Sequence, residues 1–461
     1  MSPLKIALIS PKGPLYRYRN GIFKKSLRYA PLTLTTLASL TPDEVNPQFQ
    51  LYDEGVEDVP LDIDADIVGM TVITGTAPRA YELAKHYRER GITVVLGGPH
   101  VTLLPEEAQQ HADTIVSGYA EQSWPALIRD FEAGKLLERY TQDPDLKLQN
   151  LPFPRRDLLD AKKFLTMDVF EATRSCNHAC NFCVAPAAWG RKPYQKPVDY
   201  VVDDIRRQNA KKIIFIDLNL ISDRKYAARL FEALIPCNIS WFGLATSLIM
   251  HDRELLKLMA RSGCTGLLIG FESISKDNLR SSNKRFNTPD QYADLISLLH
   301  RYGISVMGCF VFGMDYDNEQ VFDETARFVV DTHIDLPRFA IATPFPGTPF
   351  FARLEREQRI LTHNWELYDG QHVVFQPSQM AVETLQKGHE RTWKSAYRWR
   401  SMAKRIAGSR TQIPISIIAN LGYRYYANHL HDFYNCDWYI GQRDRPAKNA
   451  LAERSPLKAN L

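Results

Sequence analysis

The sequence predicts an α/β protein: an N-terminal doubly wound parallel sheet, then a partial barrel of six β/α units, then a mostly helical C-terminal region. Three observations carry that prediction. Short β-rich runs alternate with amphipathic helical runs over most of the chain. The stretch Leu151-Pro-Phe-Pro-Arg-Arg156 interrupts the alternation, because proline suits neither a helix interior nor a central strand. From about Thr348 the pattern changes to helix and loop rich in aromatics. A chain of 461 residues also exceeds one compact core, and the breaks divide it into 1–145, 151–347 and 348–461.

In the first part, Lys5–Ser10 is apolar, stops at Pro11 and reads as a buried strand, followed by a helix over 31–40. Further strands fall at 49–53, 67–72, 93–96 and 113–117, with helices over 77–90 and 124–131. Ligands of such sheets bind at the carboxyl ends of the strands. Here those ends carry Asp53-Glu54-Gly55, Thr71, Gly97-Gly98-Pro99-His100 and Ser117-Gly118-Tyr119-Ala120-Glu121. Beyond the linker, strands are expected at 167–173, 212–217, 239–245, 266–271, 305–311 and 338–343. Helices fit between them over 198–209, 225–234, 252–262, 289–302 and 318–332. Six units without a closing pair make a partial barrel, with its chemistry at the strand C-termini.

Composition narrows the class. With 44% hydrophobic and 24% charged residues the chain is an ordinary globular protein, without a repeat or a low-complexity tract. No segment has the run of about 18–20 apolar residues that spans a bilayer, and the start does not read as a secretory signal. Seven cysteines, three of them within eight positions, fit metal ligation in a reducing compartment better than a disulfide framework, so a cytoplasmic location is expected.

The net charge of +4 is unevenly placed: residues 385–410 hold eight Lys and Arg against Glu390 alone. Within this segment aromatics interleave with the charges, as in Trp393, Tyr397 and Trp399. Two readings stand side by side. The region 385–426 lies peripherally on an anionic membrane, or its aromatic face packs on the barrel and its charges are solvated. The last 20 residues are polar and proline-containing, and are expected to be poorly ordered.

The decisive text is Glu171-Ala-Thr-Arg-Ser-Cys-Asn-His-Ala-Cys-Asn-Phe-Cys183. Cys176, Cys180 and Cys183 place three thiolates on one loop, enough to ligate three irons of a [4Fe–4S] cluster and leave the fourth open. An open iron is what a substrate-activating cluster needs, and S-adenosylmethionine (SAM) chelates such a site through its amino and carboxylate groups. Structural zinc is the rival reading. It wants four ligands, and His178 supplies a fourth only with strained local geometry.

At this point the sequence resembles the radical SAM superfamily, and within it the cobalamin-binding branch closest to the hopanoid-methylase-like group. The marks are Arg28-Tyr-Ala-Pro-Leu32, Val94-Val-Leu-Gly-Gly-Pro-His100, Gly118-Tyr-Ala-Glu121 and the cysteine loop. They continue with Ser262 to Ser273, Asn283-Lys284, Phe312-Gly-Met-Asp315 and Thr343-Pro-Phe-Pro-Gly-Thr348.

The resemblance implies a cobalamin-binding-like domain ahead of a radical SAM partial barrel, with three cofactors: a [4Fe–4S] cluster, SAM and cobalamin. For SAM it implies Glu272 on the ribose, Phe182 beside the adenine, and Asn219 and Ser247 at the amino-acid moiety. For the last two, helix capping is an equal alternative. For cobalamin it implies the sheet's carboxyl edge: Asp53, Thr71, Gly97, Gly98, Ser117, Gly118 and Glu121. Glycines there either let a nucleotide tail approach closely or simply make turns.

Three departures from the family pattern stand out. Asp53-Glu54-Gly55 lacks the histidine that replaces the lower axial base in other cobalamin domains, so the lower ligand is undetermined. Ser175 replaces a glycine before the first cysteine, and Leu218 replaces a carboxylate after the second barrel strand.

The activity implied is C-methylation of an unactivated carbon in a hydrophobic small molecule or lipid, through a 5′-deoxyadenosyl radical and methylcobalamin. Alternatives are a radical SAM cyclase or rearrangement enzyme that uses cobalamin for electron transfer, and a non-catalytic sensor. An external electron donor such as flavodoxin or ferredoxin is an expected partner; nucleic acid is not.

Overall fold

The computed structural model describes residues 3–13 and 28–430. The expectation for the last 20 residues lies outside that span.

The first sheet has strands β1 (Lys5–Ser10), β2 (Gln48–Asp53), β3 (Ile67–Thr71), β4 (Thr93–Gly97), β5 (Thr114–Ser117) and β6 (Arg139–Thr141). All are parallel, in the order β2-β1-β3-β4-β5-β6. Helices α1 (Leu32–Leu40), α2 (Ala77–Glu89), α3 (Pro99–Leu103), α4 (Pro105–Gln109) and α5 (Ser123–Glu132) connect them. The central strands are apolar throughout because both faces are covered: Ile6, Leu8, Ile67, Val68, Val94 and Leu96 are all fully buried. Strand β6 is an addition to the five expected. Its Arg-Tyr-Thr has only Tyr140 buried, too short a pattern to read in sequence.

Residues 151–156 are a pinned connection. Arg156 is buried, forms a bidentate ion pair with Asp204 at 2.8 and 3.0 Å, and donates to the Val169 carbonyl.

The second part opens with β7 (Val169–Phe170), the hairpin strands β8 (Thr173–Arg174) and β9 (Tyr194–Gln195), and α6 (Val184–Trp189) between those two. Then come α7 (Val198–Arg207), β10 (Lys212–Phe215), α8 (Arg224–Leu234), β11 (Ser240–Leu244) and α9 (Arg253–Arg261). These lead to β12 (Cys264–Glu272), α10 (Lys276–Ser281), α11 (Tyr292–Arg301), β13 (Ser305–Phe312), α12 (Val321–Asp331) and β14 (Leu336–Ile341). The strands form an open parallel sheet, β14-β13-β12-β11-β10-β7, as the partial barrel requires. Along β13 buried and half-buried residues alternate strictly, one face on the helices and one on the barrel interior.

The single strand expected over 167–173 is two strands, and Asp217 is the reason. Its buried carboxylate accepts from the backbone N–H groups of Ala172 and Thr173, ending the β7 ladder and turning the chain into the cysteine loop.

The C-terminal region contains α13 (Pro349–Arg356), α14 (Val382–Ala396), α15 (Trp399–Ser409) and α16 (Ile413–Asn428). Trp393 and Tyr397 are buried, stack on Tyr423, and donate to the Phe339 and Pro337 carbonyls of β14. The aromatic face therefore covers the barrel's edge. Arg405 departs from the solvated-charge picture: it is fully buried, donating to the Ile334, Asp335 and Ala396 carbonyls and to Asn420 Oδ1. Trp365 reaches back to helix α4 beside the first sheet, where its indole N–H donates to Glu107 at 3.1 Å.

Candidate active site

The cysteine loop hangs between β8 and β9, whose antiparallel pairing clamps both of its ends. Ser175 sits there with φ +66°, a conformation that glycine adopts freely. It is fully buried, and its hydroxyl donates to the Gly190 carbonyl at 2.6 Å. The serine keeps the left-handed turn and adds a tie across the loop, so this departure preserves the backbone path. The loop is anchored further by Asn283 Nδ2 to the Ala179 carbonyl (2.8 Å), Asn181 Nδ2 to the Ser281 carbonyl (2.8 Å) and Asn177 Nδ2 to the Ser222 carbonyl (3.0 Å).

Cys180 is buried, while Cys176 and Cys183 are partly exposed. Burial pushes the Cys180 thiol up to about 11 without a metal, so ligation must supply the charge that makes it a thiolate. Among the described residues no three Cys, His, Asp or Glu side chains converge on a single ion. Cluster ligation spreads three thiolates over three irons and needs no such convergence. His178, the zinc reading's fourth ligand, stacks on Phe286 with ring centres 4.1 Å apart.

Of the four residues expected from sequence to meet SAM, Phe182 lies on this loop and Asn219 and Glu272 stand near its cysteines. Asn219 is buried, its Nδ2 is 3.9 Å from Cys176 Sγ, and its Oδ1 has no partner. A buried amide oxygen without a donor fits a ligand's ammonium group. Ser247 caps no helix; its hydroxyl donates to Asn287 Oδ1 at 2.6 Å. Glu272 ends β12 with φ +63°, where a register shift between Gly270 and Glu272 re-aims the side chain. It pairs with Lys284 at 2.6 Å, both side chains being 11% exposed. Phe182 lines an apolar cavity of about 160 Å³ with Val311, Met314, Thr343 and Phe345, at the carboxyl ends of β13 and β14.

A larger cavity, about 530 Å³, lies between the first sheet's carboxyl edge and the barrel mouth. From the sheet it receives Thr71, Gly97, Gly98, Gly118 and Glu121. Asp53 and Ser117 do not line it. Asp53 is buried and pairs with Arg28 at 2.5 Å; the Ser117 hydroxyl is buried without a partner. Gly98 has φ +105°, and a Cβ there would lie 2.7 Å from the Val72 carbonyl oxygen, so the turn itself demands glycine. At Gly97 a Cβ would meet nothing closer than 3.6 Å, which leaves its open side to a ligand.

The barrel contributes Glu171, Thr173, Arg174, Ser175, Trp189 and Leu218 to the same cavity. Tyr29, Ile73 and Leu218 are exposed apolar side chains that line it, a surface suited to a large apolar macrocycle. Tyr119 stacks on Trp189 at 5.4 Å with 7° between the planes. Orphaned buried oxygens on Glu121 and Thr173 also await donors. The residues present therefore fit a cluster, SAM and cobalamin. Arg174, Glu171, Trp189 and Lys284 were assigned no role from sequence, although Glu171 and Arg174 stand in the cysteine-loop text and Lys284 in the family mark Asn283-Lys284.

The Radical SAM superfamily model matches residues 170–329 and the B12 binding domain model residues 40–128. The bacteriochlorophyllide d C-12(1)-methyltransferase of Chlorobaculum tepidum is 31% identical over 390 residues, 82% of this chain and 85% of the relative. The chain belongs to the cobalamin-binding radical SAM superfamily. It is an enzyme of that family, with a [4Fe–4S] cluster, SAM and cobalamin as its cofactors. The bacteriochlorophyllide d C-8(2)-methyltransferase of the same organism is 30% identical, covering 85% of this chain and 91% of the relative. The cobalamin-dependent SAM radical enzyme OxsB, with aqua-cobalamin bound, shares the fold at a TM-score of 0.66 and 15% identity, covering 95% of this chain and 77% of that one. No helix among the described residues is long and apolar enough to cross a membrane.

Proposed function

We propose that this enzyme is a C-methyltransferase acting on an unactivated carbon of a hydrophobic small molecule. The observation that carries the proposal is the shared cavity, lined from one side by the cobalamin-type sheet edge and from the other by Glu171, Thr173, Arg174 and Ser175, a stretch that runs directly into the cluster cysteines. When bound, the cluster with SAM supplies a radical generator and cobalamin supplies a methyl carrier; this division of labour leaves binding and orientation to the protein.

Within this reading Cys176, Cys180 and Cys183 hold the cluster. Asn219 and Glu272 orient SAM, Ser247 acts through Asn287, and Phe182 packs against the adenine. Thr71, Gly97, Gly98, Gly118 and Glu121 hold cobalamin, while Asp53 and Ser117 shape its loops from outside the cavity. Leu218 presents an apolar side chain, 43% exposed, where the family carries an acid. That favours an uncharged substrate surface there. The two Chlorobaculum relatives, both named for methylating bacteriochlorophyllide d, support a flat hydrophobic substrate. The single-electron donor is a separate protein such as flavodoxin or ferredoxin.

The experiment is anaerobic reconstitution with iron, sulfide and cobalamin, then reduction with SAM and bacteriochlorophyllide d as the trial substrate. Mass spectrometry is expected to find both 5′-deoxyadenosine and S-adenosylhomocysteine. Deoxyadenosine alone would favour the cyclase or rearrangement reading, and neither product would favour a sensor.

A further inference from the structure

Helix α16 packs Tyr423, Tyr426 and Ala427 on the core in its second half, but its first half is inverted with respect to an ordinary surface helix. Its buried face carries polar Ser416 and Asn420, bonded to each other and to Arg405 and the Asp335 carbonyl. Its solvent face carries Ile413, Ile415, Ile417, Ile418 and Leu421, exposed by 43 to 72% and without a charge among them. Trp399 extends this surface from α15: it is 61% exposed, and Arg424 of α16 lies over its ring at 4.5 Å. Isolated exposed apolar residues are ordinary, but five within nine positions of one helix beside a tryptophan are a contact surface.

The surrounding charge selects the partner. Residues 391–430 contain eight Lys and Arg and no Asp or Glu. Some of these charges are spent internally: Arg405 is buried, Lys404 pairs with Asp331, and Arg391 lies near Asp323. Arg398 and Arg400, flanking Trp399, and Arg410, just before α16, remain exposed. An apolar face with a tryptophan and an arginine rim of one sign matches the boundary of an anionic bilayer, with apolar side chains among acyl chains and arginines at the phosphates. We propose that α16, Trp399 and this rim dock the enzyme on the surface of an anionic lipid bilayer.

The position of the surface sharpens the claim. Thr411, Asn420 and Arg405 are tied to Asp335, which precedes β14, so the docking face stands at the amino end of that strand. The candidate active site opens at the carboxyl ends. The surface tethers the enzyme and leaves the mouth facing water.

Co-sedimentation of the full chain with vesicles tests this independently of catalysis. Binding is expected to vesicles that mix phosphatidylglycerol into phosphatidylcholine, and not to phosphatidylcholine alone. The triple variant Ile415→Ser, Ile418→Ser, Leu421→Ser should lower the bound fraction about ten-fold, and Arg398→Glu with Arg400→Glu should do likewise and weaken the salt dependence. Failure of the full chain to bind overturns the proposal, as does equal binding by the triple variant. Sedimentation velocity supplies the other contrary result: a dimer that the triple variant dissolves would assign the face to a second copy.

Discussion

Arg174, two residues before the first cluster cysteine, is ion-paired with Glu121 on the loop after β5, and so joins the cysteine loop to the first sheet. The same guanidinium donates to Glu171 at 2.8 Å and lies 4.9 Å from the Tyr119 ring centre, while Lys196 sits 3.0 Å from Glu171. Burial alone would raise the Glu171 carboxyl, but these cations outweigh it and hold it down at about 2. Cavity and cluster loop are thus held together by one buried network.

Removing one member leaves a charge without its counterion. Arg174→Met is expected to destabilise the protein by about 3 kcal/mol, and Glu121→Gln in that background should recover part of the loss. Urea denaturation of the two single variants and the double variant checks this. Additive losses would show that the pair is not coupled.

Ser175 predicts an unusual order of substitutions. Ser175→Gly relieves the left-handed backbone but gives up the bond to Gly190, so stability should change by less than about 1 kcal/mol. Ser175→Ala keeps the strain and loses the bond, with an expected cost of about 1–2 kcal/mol. Thermal melts of the reconstituted protein rank the two.

At Gly270, a Cβ would clash with Glu272 Oε1 and lie 3.0 Å from Lys284 Nζ. Gly270→Ala should therefore push the Glu272–Lys284 pair aside, and both it and Glu272→Gln should weaken SAM binding about ten-fold or more. Calorimetric titration of SAM into the cluster-loaded protein measures this. Unchanged affinity in Glu272→Gln would remove Glu272 from the SAM site.

His389 sets a pH dependence. Burial lowers its ring to about 4 from an ordinary 6.5, so the folded state keeps it neutral while the unfolded chain takes up a proton below 6.5. Its contribution is fully present above 6.5 and is lost as pH falls towards 4, amounting to about 3 kcal/mol. Denaturation of wild type and His389→Gln across that window should show a shallower acid slope in the variant.

Much of this was legible in sequence because both sheets are parallel and buried: apolar runs such as Lys5–Ser10 and helices such as Ala77–Glu89 declare themselves by period. The cysteine loop was legible because its spacing is chemistry. What sequence concealed depends on partners distant along the chain. The split of β7 from β8 requires Asp217, some 45 positions away, and the Glu121–Arg174 pair spans 53. Arg405 reads as a surface charge until Asn420 and the Asp335 carbonyl surround it. Likewise Ser247 reads equally as a SAM contact or a helix cap, and its bond to Asn287, 40 positions on, is not visible in sequence.

The most direct test of the central claim follows the methyl group. The reconstituted enzyme is given SAM carrying a trideuterated methyl under reducing conditions, and the bound cobalamin is then recovered for mass spectrometry. Methyl transfer predicts trideuteromethyl on the cobalamin with a matching amount of S-adenosylhomocysteine. Cobalamin that binds and stays unlabelled while 5′-deoxyadenosine accumulates would contradict it.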